Sequence, residues 1–146
     1  MALDKKKIEE KIYPLVYEIS NLNLFHTFSS CQGHFEDNEQ ELQDKNKADV
    51  RFELLDGTSI ATAEHFITYL MTEFNNKYSF TPITLFGYKL YSPDDDYEVD
   101  HIFVIELKPF DRFDNSKKKR REIDIAIINA SDIVTKYKEL LINNTL

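Results

Sequence analysis

The sequence predicts a single α+β domain, residues 1–146, with element order αββαββα and helices packed on one face of an antiparallel sheet. Three observations carry this prediction. Apolar residues recur at spacings of three and four in separate stretches, as amphipathic helices require. Between those stretches apolar and polar residues alternate, as in half-buried strands. At 146 residues the chain suits one domain, which removes roughly 70% of its unfolded surface from water without needing staples.

Ile8, Ile12, Leu15, Val16, Ile19 and Leu22 form one apolar stripe and predict a helix over 4–23. Pro14 must kink that helix or restart it near Tyr13. Phe25 to Cys31 alternates loosely and reads as a short strand. The acidic stretch from Gln32 to Lys47 exceeds the ~12–15 residues of a passive connection, which marks it as functional, partly disordered or holding a short helix. Val50, Phe52 and Leu54 alternate with Arg51 and Glu53 in a second strand that Asp56-Gly57 ends.

A helix over about 59–76 follows, with Ile60, Ala63, Ile67, Leu70, Met71 and Phe74 on one face and His65 on the other. Two long strands, near 81–92 and 97–109, are joined by a turn at Ser92-Pro93-Asp94-Asp95-Asp96. Both faces of the second, His101 and Phe103 on one and Ile102 and Val104 on the other, have apolar members, so it reads as a central strand. Ile123, Ile127, Ala130, Val134, Tyr137 and Leu141 repeat at helical spacing, although Ile123, Ile125 and Ile127 also alternate like a strand. One helix from about 116 to 143 is favoured. It leaves Ile125 and Ile128 off the main stripe, for another layer or a second copy of the chain to cover.

The formal charge is −8, whereas duplex-binding domains gain most of their affinity from a basic surface that neutralises phosphates. The balance argues against broad nucleic-acid affinity. No apolar run approaches the ~20 residues needed to span a bilayer, and the opening Met-Ala-Leu-Asp-Lys-Lys-Lys lacks the apolar stretch of a signal peptide. A single cysteine, Cys31, excludes an intrachain disulfide. A cytoplasmic protein is the expectation.

Chemistry concentrates in His26-Thr27-Phe28-Ser29-Ser30-Cys31-Gln32-Gly33-His34, which holds the only cysteine and two of the four histidines. Gly33 is placed to supply a positive-φ turn. Amides converging in such a turn can hold a phosphate or carboxylate, with Ser29, Ser30 and His34 assisting. A second reading makes Cys31 a nucleophile whose pKa is lowered by His34 or His26. A third uses Cys31 and His34 as a C-x-x-H zinc pair. Structural zinc would need two further ligands and no second pair exists, so no residue is assigned to a metal. Beside these stands the plain alternative of a buried core cysteine next to an ordinary turn.

Ser29-Ser30-Cys31-Gln32-Gly33-His34 resembles the Ser-Ser-Cys-Ser-Gly-Arg signature of the wybutosine-synthesis methyltransferases, with His34 in place of the arginine. The resemblance covers six residues and implies methylation of a tRNA base with S-adenosylmethionine, involving Ser29, Ser30, Cys31 and Gly33. The segment is also similar to small bacterial and phage proteins bearing Ser-Cys-x-Gly-His, which imply no particular activity.

Elsewhere the signals are blander. Lys117-Lys118-Lys119-Arg120-Arg121 at a helix start is unfavourable against the macrodipole, by up to ~0.3–1 kcal/mol per charge, and reads as a solvated face unless something anionic offsets it. Asp94-Asp95-Asp96 lacks the spacing of a calcium loop and reads as a hydrated turn. His101 reads as a hydrogen-bonded core histidine, and His65 as helix surface. Arg51 and Glu53 read as a surface pair on a face that carries a site if the sheet is open. There is no G-x-G-x-x-G, Walker loop, H-E-x-x-H or G-x-S-x-G. One further exclusion concerns phosphotyrosine-type chemistry, which needs an arginine six positions after the cysteine, where Asp37 stands.

The resulting expectation is a small-ligand-binding protein. An anionic ligand, a nucleotide or another metabolite, lies at the Ser29–His34 turn under the 36–47 loop, with His26, Arg51 and His101 as further candidates. The alternatives are an enzyme using Cys31 and His34, and an interaction module dimerising through the last helix.

Overall fold

The computed structural model describes residues 3–35, 46–93, 95–96, 98–111 and 113–144. The acidic segment 36–45, expected to roof the site, lies outside them. Seven main elements follow the expected order: α1 (Tyr13–Ser20), β1 (Phe25–Cys31), β2 (Ala48–Leu54), α2 (Ile60–Lys77), β3 (Ile83–Pro93), β4 (Val99–Pro109) and α3 (Ser116–Ile142). All neighbouring strands are antiparallel, in the order β1-β2-β4-β3. β2 and β3 therefore run the same way with β4 between them, and α2 is the crossover of a split β-α-β unit. Among the described residues no helix is long and apolar enough to cross a membrane.

The first helix is shorter than its periodicity predicts. Lys5–Lys7 form a single 3₁₀ turn capped by Asp4, residues 8–12 are irregular, and α1 begins at Tyr13 with Pro14 in its first turn. Proline lacks the N–H that a helix interior needs, so the restart at Tyr13 is where the chain tolerates it. Ser59 caps the start of α2, its hydroxyl accepting from the Thr62 amide at 3.1 Å. α3 is a continuous helix through 122–129, so 3.6-residue periodicity outweighs the local Ile alternation.

The three helices and one face of the sheet share a single core. Phe25, Val50, Phe52, Leu85, Phe103, Ile105 and Leu107 meet Leu15, Ile19, Phe66, Leu70, Ile127, Val134 and Tyr137 there. Phe52 is fully buried, with ring centroids of Phe25, Phe66 and Phe103 at 4.7–6.0 Å. At Gly87 a Cβ would meet Ile67 Cγ2 at 2.6 Å, so α2 approaches β3 more closely than any side chain would allow. His65 is exposed on α2, as expected, and its Nδ1 lies 2.9 Å from the hydroxyl of buried Tyr137. β4 is central, as its two apolar faces predict, with Val104 as buried as Phe103.

Candidate functional site

β1 is an edge strand, and one irregularity in it decides which side chains reach the outer sheet face. Thr27 pairs with Phe52 and Ser29 with Arg51, so Phe28 is an extra residue, a bulge. Before it, Phe25 and Thr27 point to the core; after it, Ser30 opposite core residue Val50 takes that side. Ser29 and Cys31 are thereby turned to the outer face, opposite Arg51 and Asp49. The loose alternation of the sequence in this strand is the trace of the bulge.

Two rows of side chains cross the outer face at this end. One runs Cys31, Asp49, Glu106, Phe86, and the next runs Ser29, Arg51, Val104, Tyr88. Buried Glu106 accepts from Lys47 Nζ and Tyr88 Oη, both at 2.6 Å. Half-buried Arg51 makes no hydrogen bond or ion pair among the described residues, while Glu53 bonds His26 Nδ1 at 2.9 Å. The expected Arg51–Glu53 surface pair is replaced by Glu53–His26, because cross-strand partners on an antiparallel pair lie closer than residues two apart.

The turn that follows β1 has the backbone expected of it, with Gly33 at φ +87°. Its polar groups, however, are arranged otherwise than an anion nest demands. The Gln32 amide donates to Glu9 Oε1 at 3.1 Å. The carbonyls of Gln32 and Gly33 accept from Arg120 Nη2 and Nη1 at 2.7 and 2.6 Å. Arg120 also pairs with Asp124 and lies over the Phe35 ring. Buried Lys119 donates to Asn46 at 2.7 Å. The basic run is thus only partly a solvated face: two of its cations turn inward and clamp both ends of the 36–45 connection, 32–35 and 46, and Lys118 pairs with Asp114.

Beside the turn, Glu9, Cys31 and His34 bring a carboxylate oxygen, a thiol and an imidazole nitrogen within 4.8 Å of one another. His34 Nε2 is 2.9 Å from Glu9 Oε2. Burial pushes the Cys31 thiol up from its ordinary value, the Gly33 amide partly offsets this, and the negative charges of Glu9 and Asp49 push it up further. That is opposite to the activation a nucleophilic cysteine needs. The expected lowering of this pKa by His34 or His26 is not found: neither imidazole contributes to the shift, and His34 Nε2 meets Glu9 Oε2 instead. Sequence reasoning does not reach Glu9, which lies 22 positions before Cys31 in a segment that the apolar stripe assigns to a helix.

The other candidates separate. His26, Ser29 and Ser30 line a cleft of about 420 Å³ between β1 and the 3–8 segment, with Lys7, Ser20 and Asn23. His101 does not join the site. It is five residues along β4 from Glu106, roughly 17 Å away, and faces Tyr91 edge-on. Its buried Nδ1 has no hydrogen-bond partner among the described residues, so the expected hydrogen-bonded core histidine is not found there.

Fold and site together define an α+β domain with a split β-α-β sheet and a mixed carboxylate, thiol and imidazole cluster at the rim of its edge strand. The chain matches no protein-family model, no curated protein and no solved structure.

Proposed function

We propose that the protein binds a small anionic ligand, such as a nucleotide or another phosphorylated metabolite, on the outer sheet face beside the Ser29–His34 segment. The observation that carries this is Arg51, a half-buried guanidinium without a hydrogen bond or ion pair among the described residues, paired in register with exposed Ser29. A planar fork of donors beside a hydroxyl suits a phosphate or carboxylate. The ligand meets the Arg51 side chain rather than the turn amides, since the Gln32 amide already serves Glu9.

Thermal-shift titration with pyrophosphate, AMP and ATP at low ionic strength tests the reading. At least one should raise the melting temperature, and Arg51→Ala should abolish the shift. An undiminished shift in Arg51→Ala removes the guanidinium from the site, and no shift with any of the three overturns the reading. A second reading, dimerisation through α3, is favoured by Ile125 and Ile128, 53% and 49% exposed on one side of that helix. Dimerisation abolished by Ile128→Lys with the circular dichroism spectrum retained supports it, and a monomer at all concentrations overturns it.

A further inference from the structure

We propose that Glu9, Cys31 and His34 form a three-ligand site for a divalent transition-metal cation, with zinc the ion this donor set suits best. The three donors come from the irregular 8–12 segment, the last residue of β1 and the turn after Gly33. Their donor atoms already lie within 4.8 Å of one another. Tetrahedral zinc with bonds of ~2.0–2.3 Å places its donors about 3.3–3.8 Å apart, so side-chain adjustments of about 1 Å would complete the geometry. The Glu9–His34 contact of 2.9 Å would open slightly as both donors turned to the ion.

The supporting contacts are those of an outer shell. Glu9 Oε1 is held by the Gln32 amide, which leaves Oε2 for the site. The Gln32 side chain accepts from the Lys11 amide at 3.0 Å and so ties the 8–12 segment to the turn. Arg120 fixes the turn through the Gln32 and Gly33 carbonyls. None of these contacts uses a donor atom proposed to bind the ion. Such second-layer bonds orient ligands and raise metal affinity.

Charge and softness agree. Cys31 stands in a row with Asp49 and Glu106, and Glu9 adds a further carboxylate. A bound cation would offset the negative charge that these carboxylates gather beside the thiol. Thiolate and imidazole donors favour zinc and its neighbours, whereas calcium and magnesium take oxygen ligands. Three protein ligands leave a fourth position for water or an exogenous donor, the pattern of zinc sites that work on ligands.

One consequence rests on the anion reading. Ser29 lies two residues before Cys31 on the same face, about 7 Å away, so one phosphorylated ligand can touch both the cation and Arg51.

Cobalt(II) titration of the full chain tests the metal site without any anion. One cobalt per chain should bind with a thiolate-to-metal charge-transfer band. Cys31→Ser should lose that band, and Glu9→Gln and His34→Ala should each weaken binding at least tenfold. Zinc should also slow iodoacetamide alkylation of Cys31 in the parent but not in His34→Ala, a readout that needs no folded Cys31 variant. Absence of the band, affinity unchanged in Glu9→Gln and His34→Ala, or alkylation indifferent to zinc overturns the proposal. Loss of nucleotide binding alone leaves the cobalt result standing and counts only against the anion reading.

Discussion

The two faces of the sheet obey different rules. The helix-covered face is closed by large apolar side chains, and Phe25, Phe52, Phe66 and Phe103 interlock within a few ångströms. The outer face at the β1–β2 end instead holds Cys31, Asp49, Arg51 and Glu106, polar groups whose burial costs solvation. The first arrangement follows from burial, which is non-directional and tolerant of detail. The second depends on specific partners, and a buried charge without a good partner costs stability. Such groups are kept together at one rim at some expense to stability, which the proposed binding role would account for.

Four substitutions probe that contrast, in descending order of expected effect. Phe52→Ala removes a fully buried ring and should cost about 3–5 kcal/mol in urea denaturation; a loss below ~1 kcal/mol would show that the core face is not the source of stability. Arg120→Met should cost about 2–3 kcal/mol, since two carbonyls lose a charged donor. It should also speed Cys31 alkylation by loosening the turn, and unchanged alkylation would mean the clamp does not hold the site.

Gly33→Ala should cost about 1–2 kcal/mol. The glycine has φ +87°, and a Cβ there would meet Phe35 Cζ at 2.7 Å and the Lys47 carbonyl at 3.2 Å. A neutral result would show that the turn relaxes freely.

Asp49→Asn should do the reverse and stabilise the metal-free protein slightly at neutral pH. Burial holds the Asp49 carboxyl above its ordinary value of 3.8, with Lys47 and Arg51 opposing and Glu106 and Glu9 adding to the rise. A raised carboxyl binds its proton more tightly when folded, so stability falls as pH rises from the ordinary value through the raised one. The variant should therefore match the parent below the carboxylate range and exceed it above. Denaturation midpoints measured across pH check this, and a destabilised variant at neutral pH would mean Asp49 is paired more strongly than its row suggests.

The elements themselves were legible from periodicity because burial acts on every apolar residue of a face at once. Ile123 to Leu141 repeats at helical spacing over 19 residues, and that signal outvoted three alternating isoleucines. In the first helix the stripe continues through Ile8 and Ile12, but the helix restarts at Tyr13, the expected alternative that Pro14 imposes, and residues 8–12 stay irregular. In the site, Cys31, His34, Ser29 and Arg51 could be singled out by residue type. Their grouping could not, because the Phe28 bulge changes which side of the strand each occupies and alternation alone cannot locate a bulge.

From residues alone, then, came the order of helices and strands, the central place of β4, the positive-φ turn at Gly33 and the long last helix, each set by local backbone preference or by one-dimensional apolar spacing. The three-dimensional arrangement decided that Glu9 meets Cys31 and His34, that Arg120 grips the turn from 87 residues away, and that His101 stands apart. Those contacts join segments far apart in the chain. Only the packing of α3 and the 8–12 segment against the end of β1 brings their charges together.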